Sequence, residues 1–242
     1  MKVIPSYLLG RQRLLLVAIF LISHFAGFSQ VCNLSSLPSN LRTGLVAYYP
    51  FCGNANDVSG NGNNGTVNGA TLTTDRFGVA NQAYYFSSSG CGTHIQANVN
   101  TVNIQNGLTL SIWIAKIGDG CISPRILEFW PGSDGPGIAQ WQWPNPNPNN
   151  MINIGSMTSS GFSCTASLPV STNGTWMHLV YTNDGTVGRF YKDGQLIASV
   201  NSSGNPILAS NLAIGRMNHP AWDAFNGKLD DFFIYNRALT SC

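Results

Sequence analysis

Residues 44–51 read Gly-Leu-Val-Ala-Tyr-Tyr-Pro-Phe, and residues 53–65 continue Gly-Asn-Ala-Asn-Asp-Val-Ser-Gly-Asn-Gly-Asn-Asn-Gly. The first stretch, rich in aromatic and β-branched residues, predicts a strand, and the second consists of turn formers. The same succession of short apolar runs and Gly or Asn turns recurs along the chain. It predicts strands at 44–51, 83–86, 108–115, 126–129, 151–154, 176–182, 187–192, 195–200, 212–215 and 228–236.

Roughly ten short strands at this spacing are typical of an all-β sandwich or barrel. The clearest turn is Asp193-Gly194, because Asp-Gly fits a type I′ hairpin whose central residues need positive φ. After Ser29, we find no ten-residue stretch that combines a helical period with good helix formers. We therefore predict a single all-β domain.

The N-terminus has the pattern of a secretory signal peptide. Lys2, Arg11 and Arg13 precede an apolar run at 14–28, and we expect cleavage after Ser29. The chain then consists of a signal peptide, 1–29, and one domain, 30–242. An uncleaved membrane anchor is the alternative, but a run of about 15 residues is short for a span of about 20. The predicted destination is the periplasm, the cell surface or the outside.

Charge argues against nucleic acid as a partner. The chain has 12 Lys and Arg against 10 Asp and Glu, and three of the basic residues lie in the leader, so the mature net charge is 9 − 10 = −1. Binding to nucleic acid depends on basic groups that neutralise phosphates. Disorder is also excluded, because 43% of the residues are hydrophobic.

The acidic residues argue against an enzyme. Glu128 is the only glutamate in the sequence, so a glycosidase with two catalytic glutamates is excluded, although a pair of aspartates is not. No G-x-S-x-G motif accompanies the abundant serines. His178 follows Trp176 in a strand pattern, which favours packing or hydrogen bonding over catalysis.

All six cysteines lie after the leader, where oxidising conditions favour disulfides. Their spacing lacks the C-x-x-C pattern of a zinc site, so three bridges are expected. Six cysteines allow fifteen pairings. Because domain termini often lie close together, we expect Cys32 to pair with Cys242, and then Cys52 with Cys91 and Cys121 with Cys164.

Seven blocks together resemble LamG-like (laminin G-like) jelly-roll domains of the concanavalin A-like lectin/glucanase superfamily. The blocks lie at 44–51, 53–65, 110–114, 174–180, 190–194, 212–215 and 225–239. The resemblance implies a two-sheet antiparallel jelly-roll sandwich, with ligands on the concave face or the loops at its rim. The catalytic strand of the related glucanases, with two Glu separated by an Asp, is absent from the sequence. Relative to the family pattern, Cys52 and Cys91 are expected to form an additional disulfide.

The Asn- and Gly-rich loop at 57–65 offers oxygen ligands of the kind that Ca²⁺ prefers. The resemblance implies that Asp57, Asn61 and an Asp of the last strand, Asp230 or Asp231, share a structural Ca²⁺. Successive strand residues face opposite ways, so only one of the two aspartates is expected to face the metal. The alternative is an Asx-turn in which Asp57 caps backbone donors.

A stretch rich in Trp, Pro and Asn at 141–150 suggests a sugar-binding surface, because aromatic rings stack on sugars while amides bind their hydroxyl groups. The predicted ligand-binding residues are Trp141, Trp143, Trp130, Trp222 and Asn147. The alternative is that these tryptophans cover a small satellite core. Trp113 and Trp176 match core positions of the family and are assigned to packing.

These observations predict an exported, non-catalytic, lectin-like or adhesion domain that binds glycans or another extracellular surface through rim loops. A protein-interaction or structural module of a cell-surface assembly is the alternative. A polysaccharide hydrolase is a third class, and it requires two aspartates roughly 5 to 9.5 Å apart in a cleft.

Overall fold

A computed structural model describes residues 30–99, 107–118, 124–130, 139–142, 151–158, 161–169, 171, 173–204, 210–216 and 224–240. The chain divides into two compact units, Met1–Gln30 and Val31–Cys242. Gln30 is the described part of the first unit, and the fold below is that of the second.

The described residues form fifteen strands and three short 3-10 helices. The strands are β1 (Leu45–Tyr49), β2 (Gly65–Asn68), β3 (Thr71–Thr73), β4 (Ala83–Phe86), β5 (His94–Asn98), β6 (Leu108–Lys116), β7 (Arg125–Trp130), β8 (Ala139–Gln142), β9 (Met151–Thr158), β10 (Gly161–Pro169), β11 (Met177–Asn183), β12 (Val187–Lys192), β13 (Gln195–Asn201), β14 (Asn211–Ile214) and β15 (Gly227–Tyr235). The helices are Leu34–Ser36, Ser39–Leu41 and Ser89–Cys91. All the predicted strands are confirmed, and β2, β3, β5, β8 and β10 add to them.

The strands form two antiparallel sheets. The larger sheet has the order β13-β12-β11-β6-β15-β4-β3, and β1 also pairs with β15. The smaller sheet has the order β10-β9-β8-β7-β14-β5-β2. The predicted all-β, two-sheet architecture is therefore confirmed.

The hydrophobic core contains residues from both sheets. In the larger sheet it includes Leu110, Ile112 and Ile114 of β6, and in the smaller sheet Ile95 of β5 and Leu212 of β14. Full burial of one such side chain stabilises a fold by roughly 1.5–3 kcal/mol. Because side chains alternate along a strand, the intervening residues of β6 lie on the opposite face of the larger sheet.

The predicted Asp193-Gly194 hairpin is confirmed. Lys192 of β12 pairs with Gln195 of β13, and the two turn residues have φ of 50° and 79°. Both central residues therefore lie in the left-handed region that a type I′ turn requires.

The disulfide framework differs from the prediction. Cys32 is bonded to Cys52, with their Cα atoms 5.7 Å apart, so the expected pairs Cys32–Cys242 and Cys52–Cys91 are wrong. The reason is local: the segment before β1 turns back on itself, and the Tyr48 hydroxyl lies 2.5 Å from the Val31 carbonyl oxygen. Cys32 is thereby held beside the end of β1, where Cys52 follows.

The expected pair Cys121–Cys164 stays a prediction. Cys121 and Cys242 lie outside the described residues, and only the backbone of Cys91 and Cys164 is described. In the described part of the chain, no helix has the length and apolar character needed to span a membrane.

Candidate functional site

The candidate site lies on the face of the larger sheet that points away from the core. On the adjacent strands β11, β6 and β15, His178 pairs with Trp113 and Trp113 pairs with Asp230. The three residues alternate with core residues such as Ile112 and Leu229, so they share the outer face. They form a row across the middle of the sheet.

Trp113 packs against a neighbouring strand, as expected, but it is half-buried and lies outside the hydrophobic core, so only its expected core position is wrong. It follows Thr109 and Ser111 on one face of β6, whereas the aliphatic residues of that strand face the other way. Its ring stacks on His178, with ring centroids 4.9 Å apart and an interplanar angle of 17°. Trp176, which precedes β11, is also half-buried and outside the core, so the same correction applies.

His178 makes the packing and hydrogen-bonding contacts expected of it. Its Nε2 lies 2.8 Å from the Ser111 hydroxyl, and its backbone N–H donates to Asp193 Oδ1 at 2.8 Å. Burial, with the positive charge of Arg76, lowers the pKa of His178 to about 4, against the opposing effect of Asp193. The imidazole is therefore neutral at neutral pH.

Arg76 crosses from the turn between β3 and β4 to the aromatic row. Asp75 Oδ1 accepts hydrogen bonds from the N–H groups of Phe77 and Val79, both at 2.8 Å, which fixes the turn. The Arg76 Cζ atom then lies 4.4 Å from the centre of the Phe77 ring and 4.9 Å from the centre of the Trp113 ring. These contacts are in the range of cation–π interactions.

The guanidinium of Arg76 binds two adjacent carboxylates. Its Nη1 is 2.5 Å from Asp230 Oδ2, and its Nη2 is 2.5 Å from Asp231 Oδ2. The side chain of Asp230 is 0% exposed and that of Asp231 8%, with Arg76 at 13%. Both carboxylates therefore converge on one group, so the expectation that the two aspartates face opposite ways, with only one toward a metal, is wrong.

A bulge in β15 explains why both carboxylates face the same way. Asp231 has φ of 43°, and the register with β6 shifts between Asp230 and Phe233. At this point β15 also changes its second partner, from β4 at residues 227–229 to β1 at residues 232–235. An extra residue in a strand breaks the alternation on which the prediction depended.

The Tyr48 side chain is a second partner of Asp231, beside Arg76. Its hydroxyl donates to Asp231 Oδ1 at 2.7 Å, and its ring stacks on Phe233 with centroids 3.9 Å apart. Burial and the charge of Asp231 raise the pKa of Tyr48, so the phenol stays protonated. Burial and the same neighbouring carboxylate raise the pKa of Asp230 to about 7, with Arg76 opposing them.

The predicted calcium loop is organised around Asp57. Its Oδ1 accepts hydrogen bonds from the N–H groups of Tyr48 and Ser59, both at 2.9 Å. Its Oδ2 accepts hydrogen bonds from the Ser59 hydroxyl at 2.8 Å and from the Asn63 N–H at 3.0 Å. The Asn61 amide donates to the carbonyl groups of residues 45 and 46. These contacts match the Asx-turn alternative.

Asp57 and Asp231 bind different ends of Tyr48, its backbone N–H and its hydroxyl, and Asp230 binds Arg76. The structure therefore does not bring them to one point. The described residues contain no group of three or more His, Cys, Asp or Glu arranged to hold a metal. The Asp57 carboxylate oxygens accept hydrogen bonds from the protein chain. Calcium binding at this loop stays a prediction.

The tryptophans predicted from the Trp-rich stretch belong to the smaller sheet or lie outside the described residues. Trp130 ends β7 opposite Asn211, and Trp141 lies in β8 opposite Leu127, in both cases with only the backbone described. The other three candidates, Trp143, Asn147 and Trp222, lie outside the described residues.

Glu128 is also in the smaller sheet, fully buried, with Arg125 Nε 3.6 Å from its carboxylate. The row that the structure brings together on the larger sheet therefore contains none of the predicted ligand-binding residues, but it contains both predicted aspartates of β15.

The aromatic face, defined as Phe77, Trp113, His178 and Phe233, is open in part to solvent. Phe77 is 39% exposed, and the other three are half-buried. Along residues 108–116, Trp113 alternates with the aliphatic residues and shares a face with Thr109 and Ser111. This pattern could have predicted that Trp113 lies on the outer face. Arg76 could have been noticed because charged residues are only 9% of the chain.

Comparisons with known proteins agree with this architecture. A laminin G family model, described as the concanavalin A-like lectin/glucanases superfamily, matches residues 88–242. No curated protein matches the chain.

Two solved structures illustrate the similarity. The chain is similar to the binding domain of botulinum neurotoxin DC in complex with SialylT, at 12% identity and a TM-score of 0.64, over 82% of this chain and 49% of that one. It thus spans about half the length of that toxin domain. It is also similar to domain 4 of the extracellular GH43 arabinanase of Geobacillus stearothermophilus in complex with arabinotriose, at 17% identity and a TM-score of 0.53, over 81% and 94% of the two chains. At such identities the likeness shows the fold alone.

Proposed function

Because the chain belongs to the concanavalin A-like lectin/glucanases superfamily, we propose that it is an exported, non-catalytic glycan-binding domain whose ligand packs on the aromatic face. The family membership confirms the jelly-roll resemblance of the sequence. A fold does not supply a function by itself, so the proposal depends on the site.

The observation that carries the proposal is an exposed aromatic surface beside polar groups that the fold leaves available. Phe77 and Trp113 present apolar area, and Ser111 uses only Nε2 of His178, so Nδ1 has no partner among the described residues. Oδ1 of the exposed Asp193 accepts a hydrogen bond from the backbone N–H of His178. Glycan sites combine apolar rings with a few fixed polar groups in this way.

The aromatic face is also fixed in position before any ligand binds. Trp113 is held by the stacked His178 ring on its neighbouring strand, and Arg76 is held by two buried carboxylates. A preorganised surface loses little conformational entropy on binding, which favours affinity.

Two features support a non-catalytic role. The paired carboxylates of Asp230 and Asp231 are buried and bound to Arg76, so they do not face a ligand across an open cleft. Ser111, which contacts His178, lies in the middle of β6 between two strands, where N–H groups pair with neighbouring carbonyl groups. A serine nucleophile needs unpaired N–H donors nearby to bind the oxyanion that forms on its substrate.

Export is supported by the leader pattern of the sequence and by the Cys32–Cys52 disulfide, a bond that persists in oxidising compartments. The loop surface around Trp141 and Trp143 remains a second predicted contact region of the same protein.

A glycan array of the secreted protein tests the proposal. We expect binding to a defined set of glycans, and loss of at least about tenfold in affinity for Phe77→Ala and Trp113→Ala, which corresponds to about 1.4 kcal/mol. Val67→Ala is the matched control, because Val67 is 38% exposed but lies in the smaller sheet. Each variant is also melted, so that a loss of binding is separated from unfolding. A protein that binds no glycan, or that binds equally after both aromatic changes, would refute the proposal.

A protein-binding role is the second candidate. Leu196 and Ile197 are 54% and 42% exposed on β13, which is the end strand of the larger sheet. An edge strand with exposed apolar residues offers both backbone groups and apolar area to another chain. Leu196→Lys would weaken such a contact and leave glycan binding unchanged.

A further inference from the structure

We infer that the aromatic face selects neutral glycans and discriminates against glycans that carry carboxylates. The inference rests on the proposed glycan-binding function and concerns the ligand class of the same site. Its basis is the balance of fixed charges around the row formed by His178, Trp113 and Asp230.

The ionisable groups around the aromatic face carry more negative than positive charge. Among the described residues, the cations are Arg76, Lys228, which lies on the same face of β15 as Asp230, and Arg237, whose charge acts on the Tyr235 ring that stacks on Phe233. The carboxylates are Asp230 and Asp231 beside Arg76, Asp193 beside His178, and Asp75, whose charge acts on Asp230. Arg189, farther along the sheet, is already paired with Asp184 at 2.7 Å.

The charge of Arg76 and two of its five N–H donors are committed to buried carboxylates. An arginine that recognises a ligand carboxylate often does so with two parallel N–H donors. Here Nη1 serves Asp230 and Nη2 serves Asp231. Above pH 7, where Asp230 is ionised as well as Asp231, one guanidinium between two carboxylates leaves a net negative charge where a sugar would approach Phe77 and Trp113.

His178 does not supply a compensating charge. It is the group of the row with an uncommitted ring nitrogen, and it is neutral at neutral pH for the reasons given above. A neutral imidazole donates or accepts one hydrogen bond, which suits a sugar hydroxyl. The polar groups at this face therefore favour hydroxyl ligands over carboxylates.

The size of the discrimination follows from Coulomb's law. Two unit charges at about 4 Å interact about four times more strongly near a protein surface than in water, and their interaction falls in inverse proportion to distance. A ligand carboxylate at about twice that distance from the excess negative charge is repelled by half as much. We therefore expect a preference of about tenfold for a neutral glycan over its acidic counterpart.

The experiment uses a glycan array in which each uronic-acid and sialic-acid glycan is printed twice, as the free acid and as its methyl ester, beside neutral glycans. The full secreted protein is applied at about 0.05 M and about 0.5 M NaCl, because added salt screens exposed charges. We expect each bound ester to exceed its free acid by about tenfold at low salt and by less at high salt. Neutral glycans are expected to bind equally at both.

Two variants change the charge without touching the aromatic rings. Asp193→Asn removes a negative charge, keeps an oxygen acceptor for the His178 N–H and suits the positive φ of 50° at that turn position. Lys228→Gln removes a positive charge from the same face. We expect the ratio of ester to acid to fall about threefold in the first variant and to rise about threefold in the second.

The outcomes separate the two hypotheses. Binding to free acids as strong as or stronger than to their esters, with neutral glycans also bound, overturns the inference and leaves the proposed function standing. Absence of binding to every glycan overturns the proposed function and, with it, the inference. A preference for esters that neither variant shifts also overturns the inference, since it would not arise from these charges.

Discussion

Replacement of Arg76 by methionine should destabilise the protein strongly, because it removes the cation between two buried carboxylates. Asp230 is 0% exposed and Asp231 8%, and each is 2.5 Å from the guanidinium. Loss of one partner from a buried ion pair costs about 3–5 kcal/mol, since the remaining charge is left uncompensated. Methionine keeps much of the chain length and the apolar contact with Trp113, so the change isolates the charge.

The measurement is urea unfolding followed by tryptophan fluorescence at pH 7.5, with the disulfide intact, supported by calorimetry. A loss of about 3–5 kcal/mol corresponds to a fall in Tm of about 6–20 °C for a domain of this size. Arg189→Met is the matched control. It removes the same group from an exposed pair, with side chains 37% and 34% exposed, and should cost only about 0.2–1 kcal/mol.

The pH dependence gives a second criterion. Burial and Asp231 raise the pKa of Asp230 to about 7, so near pH 5 this carboxyl is protonated in the folded state. The cost of losing Arg76 should therefore be smaller at pH 5 than at pH 7.5. A cost no greater than that of Arg189→Met, or one equal at the two pH values, would refute the view that Arg76 neutralises this pair.

Four further predictions concern the carboxylate pair and other parts of the fold. Relative to the wild type, Asp230→Asn should gain stability as the pH rises from 4 to 7, because the folded protein then no longer contains a carboxyl with a raised pKa. His178→Gln should gain stability as the pH falls from 6.5 to 4, because the pKa of the native imidazole is lowered to about 4 and the unfolded chain binds the proton first. Serine at both Cys32 and Cys52 should cost about 3 kcal/mol of unfolding free energy, the loop-closure value for their separation of 20 residues. Gly215→Ala should cost about 3 kcal/mol, because it places a methyl group against a buried ring at φ of 88°.

Each of these has a control. Urea midpoints across the pH range should show opposite slopes for the two titration variants relative to the wild type, and parallel slopes would contradict the assignment. The double serine variant and the wild type are both treated with reductant, and the two should then unfold alike. Gly60→Ala matches Gly215→Ala in backbone, with φ of 92°, but its new methyl group meets nothing within 4 Å. It should cost about 1 kcal/mol, and equal costs at the two glycines would contradict the packing argument.

The strands were predictable because their apolar residues alternate clearly and their turns carry Gly or Asn. The additional strands could not be read in the same way, because they are short or polar. β2 is Gly-Thr-Val-Asn and β3 is Thr-Leu-Thr, and each gains its stability from a neighbour rather than from its own composition. These two segments form strands because they pair with β5 and β4, since the context of a weak strand former matters more than its own propensity.

The site was less predictable for three physical reasons. Trp113 was assigned to the core from its family position, although the parity of β6 places it with Thr109 and Ser111. The two aspartates of β15 were expected to diverge, and a bulge at Asp231 made them converge. The partner of both, Arg76, comes from a turn more than 150 residues earlier, and single-sequence spacing does not show such long-range pairs.

The disulfide prediction failed because it assumed that closeness of the termini decides pairing. The Tyr48 hydroxyl, which binds both the Val31 carbonyl and Asp231, brings the start of the domain back to the end of β1 instead. Such a hydroxyl contact has no signature in the sequence. The local bridge that results closes a smaller loop than the one expected.

The position of the Cys32–Cys52 bridge has a mechanical consequence. β1, residues 45–49, lies wholly inside the loop that the bridge closes. Tension applied to the chain ahead of Cys32 passes through the covalent bond directly to Cys52, so it bypasses β1 and its ladder with β15. The first strand of the larger sheet therefore carries no direct load when the domain is pulled from its N-terminal side, and the strand that completes the Asp231 environment stays in place under force.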